Sequence, residues 1–115
     1  MSVAIYHNPR CSKSRQTLGL LQDKGIEPEI IKYLDTPPDH ATLSRILDQL
    51  GMEPRDLMRR KEKEYQENGL DDPGLTRDQL IDAMIAHPKL IERPIVVTGD
   101  KAALGRPPEQ VLEIL

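Results

Sequence analysis

The sequence predicts an α/β fold in which a βαβ half and a ββα half contribute to one mixed four-stranded sheet. Three observations support this fold class. Strand, helix and strand patterns follow one another between Val3 and Leu34, helical periodicity extends over about residues 39–88, and a strand–turn–strand–helix pattern completes the chain. The 115 residues suffice for one modest core. We therefore expect a single domain, 1–115, with the stretch at about 39–88 as a helical insertion.

The βαβ half is predicted from a change of hydrophobic period. Val3–Tyr6 is a short apolar run that ends at a His-Asn-Pro turn, as expected of a buried strand. From Ser14 the pattern becomes helical, with a shared face and a C-terminal stop at Gly25. The residues of that face are Ser14, Thr17, Leu18 and Leu21. Glu29–Leu34 predicts the second strand of the unit.

Capping residues delimit the first helix of the insertion. Asp39 can cap a helix that ends at Gly51. Its apolar residues have the spacing of one buried face, and they are Leu43, Ile46, Leu47 and Leu50. Pro54 suits the first turn of a short helix that carries Leu57 and Met58. The alternating charges of residues 59–64 then predict a solvated surface.

A capping box predicts the last helix of the insertion. Thr76 and Gln79 have its spacing, and the helix should end by His87 and Pro88. Its apolar set is Leu80, Ile81, Met84 and Ile85. We expect this helix to close the insertion before the second half of the sheet begins.

The ββα half is predicted from a hairpin signal. Pro94–Thr98 and Lys101–Leu104 flank a Gly-Asp pair, as in a tight hairpin. Pro107 and Pro108 then open a final helix, for which we expect three residues to face inward. These residues are Val111, Leu112 and Leu115. A βαβ half followed by a ββα half is the element order of the thioredoxin fold, here with helices inserted between the halves.

Composition excludes several classes of function. The net charge of −3 provides no bulk attraction to nucleic acid or to an anionic membrane, so we expect neither as a partner. The N-terminus lacks a signal-peptide pattern, and no apolar run is long enough to span a bilayer, which predicts a soluble cytoplasmic protein. A single cysteine excludes an intramolecular disulfide. Any redox chemistry therefore needs a thiol from another molecule.

Cys11 stands where the first strand leads into the first helix, and this position favours a thiolate. Unpaired N–H groups and the positive end of the helix dipole can lower a thiol pKa from about 8.5 to roughly 3.5–7.5. Nearby Arg10, Lys13 and Arg15 act in the same direction. The same N–H groups can bind an oxyanion, and the hydroxyl of Ser14 could donate to the sulfur. The alternative is that Cys11 is a small buried hydrophobe.

Two other kinds of site lack the required spacing. A phosphatase-type anion loop needs an arginine six positions after the cysteine, where this sequence has Thr17. A metal site needs several ligands at close spacing, and the three histidines are far apart in a chain with one cysteine. We therefore expect no metal.

Four segments resemble one known family. Residues 7–18, HNPRCSKSRQTL, closely resemble the active-site segment of the glutaredoxin-coupled arsenate reductases, which use glutathione. The other matching segments keep the order and approximate spacing of the family, and they are Tyr33–Pro38, Glu92–Val97 and Gly105–Glu109. Ser12 and Lys13 stand where characterised members tend to have Gly and Thr, which resembles a shorter sister branch.

The resemblance implies a thioredoxin-like fold with a helical insertion and an oxidoreductase that reduces arsenate to arsenite. It implies that the Cys11 thiolate forms a covalent adduct with arsenic. Glutathione would attack the adduct as co-substrate, without a bound cofactor, and glutaredoxin would resolve the mixed disulfide. Three arginines match those that bind the oxyanion, namely Arg59, Arg93 and Arg106. Guanidinium groups suit this role because they offset the repulsion between a thiolate and a polyanion.

Further residues match supporting positions of the family. Pro94 resembles the cis-proline that thioredoxin-like folds place opposite the cysteine. His7 and Asn8 resemble residues that support the thiolate, and Ser14 and Arg15 are candidates for the same role.

Two other functions stay open from the sequence. One is a non-enzymatic module that senses thiol stress or binds RNA polymerase, as related regulators do, although Ser14 replaces the second cysteine of their Cys-x-x-Cys motif. The other is a glutathione-dependent thiol reductase with a different substrate.

Overall fold

The register of one mixed sheet determines which loops of the protein meet. The computed structural model describes residues 2–115. Its strands, in chain order, are β1 (Val3–Tyr6), β2 (Glu29–Ile31), β3 (Ile95–Thr98) and β4 (Lys101–Leu104). Across the described residues they form one sheet in the order β2-β1-β3-β4. β1 is parallel to β2 and antiparallel to β3, and β3 is antiparallel to β4. The predicted α/β fold class with a mixed four-stranded sheet is confirmed.

Strand pairing brings three chain segments to one edge of this sheet. Tyr6, the last residue of β1, pairs with Ile95, the first residue of β3, and Ile95 pairs with Leu104 at the end of β4. The residues after Tyr6, before Ile95 and after Leu104 therefore leave the sheet at the same edge. These are the segments that contain Cys11, Arg93 and Arg106.

The helices follow the predicted order. They are α1 (Ser12–Asp23), α2 (His40–Leu50), α3 (Lys63–Glu67) and α4 (Arg77–Ala86). Three short 3₁₀ helices accompany them, at Pro54–Leu57, Pro88–Leu90 and Pro108–Ile114. Within residues 2–115 no helix has both the length and the apolar character needed to cross a membrane.

The chain folds as two compact units. The first contains the residues up to Thr36 together with Arg93–Leu115, and the second is Pro37–Glu92. The core of the first unit takes residues from β1, α1, β3, β4 and the C-terminal 3₁₀ helix. Its buried members are Ile5, Leu21, Val96, Ala103 and Val111. Leu21 belongs to the predicted inner face of α1, whose Ser14 and Thr17 are also fully buried.

The C-terminal segment differs from its prediction. It is a 3₁₀ helix, and Leu115, which we expected to face inward, is 47% exposed. The helical period explains the error, because a 3₁₀ helix aligns residues three apart whereas an α-helix aligns those four apart. Ile114 therefore joins Val111 against the core. Leu112, also expected inside, is half-buried.

Local capping builds the helices of the second unit as predicted. The Asp39 side chain accepts a hydrogen bond from the N–H of Thr42 at 2.8 Å, and Gly51 ends α2 with a left-handed φ of 68°. Thr76 and Gln79 form the reciprocal capping box, with bonds of 3.2 and 2.9 Å. Their side chains satisfy N–H groups that a helix start would otherwise leave unpaired.

The second strand is shorter than its local pattern predicted. The strand predicted at Glu29–Leu34 stops at Ile31, and Tyr33 beyond it is buried at 1% exposure. The segment 59–64, predicted as a solvated surface, is exposed or half-buried throughout. α3 begins within it at Lys63 and buries Tyr65, the next residue after the segment.

Ionic contacts join α2 to α4. His40, the first residue of α2, places Nδ1 2.8 Å from Asp82 and Nε2 3.1 Å from Asp78. A neutral imidazole has only one N–H, so donation to both carboxylates requires the protonated ring. These hydrogen bonds raise the pKa of His40, the Asp82 bond contributing most. Arg77 adds a bond to Asp48 at 2.9 Å.

We predict that this contact is pH-dependent. Because the folded protein raises the pKa of His40, its contribution should be fully present below about pH 6.5 and should fade as the pH rises through the raised pKa. Urea unfolding across that range should show His40→Gln to be less stable than wild type in acid, with a difference that shrinks towards alkaline pH. Asp78→Asn/Asp82→Asn should remove the same pH dependence. Parallel pH profiles for wild type and His40→Gln would contradict the prediction.

Candidate active site

A tight turn after β1 positions the cysteine. The carbonyl of Ile31 in β2 accepts the N–H of His7 at 2.8 Å, which extends the strand pairing by one residue. The carbonyl of Asn8 accepts the N–H of Cys11 at 3.0 Å, and the Asn8 side chain accepts the N–H of Arg10 at 3.0 Å. These bonds place Cys11 as the N-cap of α1, one residue before the helix begins.

The Ser14 hydroxyl joins the turn to the helix. Its oxygen accepts the N–H of Asn8 at 3.0 Å and lies 2.6 Å from Nδ1 of His7. Burial, followed by the charges of Lys32 and Arg15, lowers the pKa of His7 below its ordinary value. A neutral imidazole has a nitrogen that can accept the Ser14 proton. The Ser14 hydroxyl thus forms its hydrogen bonds with the turn residues His7 and Asn8, whereas the sequence had suggested that it could donate to the Cys11 sulfur.

The Cys11 thiol is buried, at 9% exposure, and its pKa is lowered. Burial alone would raise that pKa, because it disfavours the charged form. The N–H of Ser14 contributes most to overcoming this effect, followed by the charge and hydrogen bond of Arg93 and by the N–H of Lys13. Ser14 therefore supports the thiolate through its backbone. The Cys11 thiol combines slight solvent exposure with a lowered pKa, a combination typical of reactive cysteines.

Two arginines accompany the sulfur. Nη2 of Arg106 lies 3.8 Å from Sγ of Cys11, and Nε of Arg106 donates to the carbonyl of Arg93 at 2.8 Å. Each arginine precedes a cis peptide bond, at Arg93–Pro94 and at Arg106–Pro107. Pro94 thus has the isomer that the resemblance implies, whereas the cis bond at Pro107 was not predicted. Arg93 and Arg106 surround one nucleophile with cationic donors.

The remaining predicted site residues lie in different surroundings. Arg15 donates to the carbonyl of Pro9 at 2.9 Å, so its guanidinium closes the turn before Cys11. Arg59 belongs to the second unit, where it forms ion pairs with Glu62 at 2.9 Å and with Glu92 at 3.8 Å. The role of Arg59 in oxyanion binding stays a prediction.

Gly105 has a positioning role that sequence analysis missed. Its N–H donates to the carbonyl of Pro94 at 2.9 Å. A Cβ at this position would lie 2.6 Å from Oγ1 of Thr17 and 2.7 Å from Cγ of Pro94, closer than non-bonded atoms approach. Only a glycine lets this loop pack against both α1 and Pro94. The glycine directly before Arg106 was the available signal, but its packing partners are distant in sequence.

The site can provide a nucleophile and cationic hydrogen-bond donors for an anion. Across residues 2–115, no group of three or more His, Cys, Asp or Glu side chains is arranged to hold a metal ion. The groups that meet here are a thiolate, backbone N–H donors and two guanidiniums. Such a site suits the attack of sulfur on a bound oxyanion, whose negative charge the guanidiniums can offset.

Comparisons with known proteins identify relatives over the full length of the chain. The model of the ArsC family matches residues 6–114. A protein named uncharacterized protein YfgD, from Escherichia coli K12, is 60% identical over 98% of this chain and 96% of its own length. A protein named arsenate reductase, from Neisseria meningitidis serogroup A, is 51% identical over 98% of this chain and 97% of its own. The solved structure titled arsenate reductase from Vibrio cholerae has a TM-score of 0.97 and 59% identity, covering 100% of this chain and 98% of that one.

Ser14→Ala should show whether Ser14 lowers the Cys11 pKa through its backbone N–H or through its hydroxyl. Loss of the hydroxyl leaves the Asn8 N–H and the His7 ring without this partner, which should reduce the free energy of unfolding by about 1–3 kcal/mol. The Cys11 pKa should nevertheless stay low, because the backbone N–H of residue 14 remains. Ultraviolet titration of the thiolate measures this pKa, with Cys11→Ser as the blank. A pKa that returns to about 8.5 would instead assign the effect to the hydroxyl.

Gly105→Ala should damage the site through crowding. The added methyl must displace Thr17 or Pro94, at a cost of about 1–3 kcal/mol in the free energy of unfolding, and should slow alkylation of Cys11. Gly19→Ala is the matched control, because a Cβ there would meet no described atom within 4 Å. In the interior of α1 this control should stabilise the protein by about 0.5–1 kcal/mol. Equal effects of the two substitutions would refute the packing role of Gly105.

Proposed function

Because the chain belongs to the ArsC family, we propose that it is an arsenate reductase that uses the Cys11 thiolate as its nucleophile. The observation that carries the proposal is the position of Arg106, 3.8 Å from a sulfur whose thiolate form Arg93 also favours. Further support comes from relatives named arsenate reductase that match this chain over nearly its whole length.

The first step is attack on arsenic. The Cys11 sulfur donates an electron pair to As(V), a sulfur–arsenic bond forms, and an arsenate oxygen leaves as water after taking up protons. Arg93 and Arg106 offset the like-charge repulsion between thiolate and arsenate and bind the oxyanion during attack. A low thiol pKa makes the nucleophile available near neutral pH.

The second step transfers two electrons to arsenic. The thiolate of glutathione attacks the Cys11 sulfur, a disulfide forms, and the sulfur–arsenic bond breaks with its electron pair going to arsenic, which is released as arsenite. A glutaredoxin thiolate then attacks the glutathione sulfur and frees Cys11. An external donor is required because the chain has no second cysteine. Thiols of this kind are kept reduced in the cytoplasm, so a cytoplasmic location belongs to the same proposal.

Arsenate-dependent oxidation of NADPH, coupled through glutathione, glutathione reductase and glutaredoxin, tests this function. Wild type should be active, and Cys11→Ser should abolish turnover because serine cannot carry the sulfur chemistry. Arg106→Gln should lower kcat/KM for arsenate by roughly 10–1,000-fold, the range expected when a charged transition-state contact is lost. Arg45→Gln, at an exposed position of α2, should behave like wild type. A reactive Cys11 in a protein that leaves arsenate unreduced would exclude arsenate as substrate.

A further inference from the structure

The surface around Cys11 carries cationic groups beyond the two arginines that face the sulfur. Arg10 and Lys13 flank Cys11 in sequence, and both are exposed. Lys32 is exposed directly after β2, where Ile31 receives the N–H of His7. Its charge reaches the site, since it helps to lower the pKa of His7. We define Arg10, Lys13 and Lys32 as the cationic rim.

Within the described part of the chain, the rim side chains have no carboxylate partner. Among residues 2–115, no ion pair within 4.0 Å involves Arg10, Lys13 or Lys32. The carboxylates nearest to Lys32 in sequence are Glu29 and Asp35, each three residues away, and neither forms an ion pair with it. Asp35 instead donates its backbone N–H to the Lys32 carbonyl at 3.0 Å. In a chain with a net charge of −3, Arg10, Lys13 and Lys32 thus add exposed positive charge beside the Cys11 turn.

Helix stability does not account for Lys13. A helix start favours acidic side chains, because the dipole is positive there. α4 follows this rule with Asp78, whereas the first turn of α1 has no acidic residue and holds Lys13. A cation at this position opposes the helix but attracts anions to the adjacent sulfur.

We propose that the cationic rim binds the carboxylates of the external thiol donor and makes Cys11 selective for anionic thiols and disulfides of the glutathione type. This inference deepens the proposed function by naming the donor's binding surface. Glutathione presents carboxylates at both ends around a central thiol, which suits a sulfur surrounded by separate positive charges. Arg93 and Arg106 remain the groups that face the oxyanion.

Thiol–disulfide exchange by Cys11 tests, without arsenate, whether the cationic rim selects anionic disulfides. The Cys11 thiolate attacks one sulfur of a disulfide, the old S–S bond breaks, and the leaving thiolate takes up a proton from solvent. The second-order rate constants are measured for two probes, oxidised glutathione, which is anionic, and hydroxyethyl disulfide, which is neutral. Their ratio reports charge selectivity, because a change in the Cys11 pKa or in helix stability affects both probes alike.

Wild type should favour oxidised glutathione, and the ratio should fall as salt is added. Arg10→Gln/Lys13→Gln/Lys32→Gln should lower the ratio by roughly 3–30-fold, the size expected of screened charges around an opening. Lys24→Gln, at the opposite end of α1, is the control and should leave the ratio unchanged.

A rate ratio unaffected by the triple substitution, or a wild-type ratio unaffected by salt, would overturn the proposal that the cationic rim binds the carboxylates of the thiol donor. Arsenate turnover is not needed for either outcome. A protein inactive on arsenate could therefore still show the selectivity, and an active reductase could lack it.

Discussion

The site depends on keeping a mostly buried sulfur in its charged form. Burial penalises an anion, and a thiol with 9% exposure would by itself titrate above its ordinary pKa. Donors fixed in advance reverse that outcome, namely the N–H groups at the start of α1 and the guanidinium of Arg93. The turn from His7 to Cys11 serves this requirement, because it sets the sulfur at the N-cap where those N–H groups are available.

The sheet then determines which cations reach the sulfur. Cys11 and Arg106 are 95 positions apart, and they meet because β1, β3 and β4 end or begin at one edge in register. The contact from Arg106 to the carbonyl of Arg93 links two of these segments directly. Gly105 allows the loop after β4 to pack closely against Pro94 and Thr17. Because Arg106 directly follows Gly105, this close packing also fixes where the Arg106 side chain begins.

Local signals in the sequence were sufficient for much of this architecture. The cap at Asp39, the capping box at Thr76 and the Gly-Asp hairpin each depend on contacts within a few residues, and the structure has all of them. Prediction failed where the structure or burial of a segment depends on contacts with residues outside it. The strand predicted to reach Leu34 ends at Ile31, with Tyr33 buried beyond it, and the core turns Ile114 inward in place of Leu115.

The same distinction applies to the site. The position of Cys11 at a helix start could be inferred from local pattern, because strand, turn and helix are contiguous. The partner of the Ser14 hydroxyl could not, since spacing alone does not say whether the oxygen points towards Cys11 or back towards His7. The roles of Arg93 and Arg106 came from resemblance, as their proximity to the sulfur depends on the completed sheet.

The single sulfur has a consequence for how the protein responds to its surroundings. A protein with two thiols can form an intramolecular disulfide and remain in that unreactive form. This chain has one cysteine, so any disulfide it forms joins it to a second molecule. Its disulfide-bonded population is therefore a set of conjugates, and their abundance depends on how fast the surrounding thiols reduce them. Mass spectrometry can measure the fraction of the protein that carries such a disulfide. That fraction would report the reducing capacity of the surrounding thiol pool.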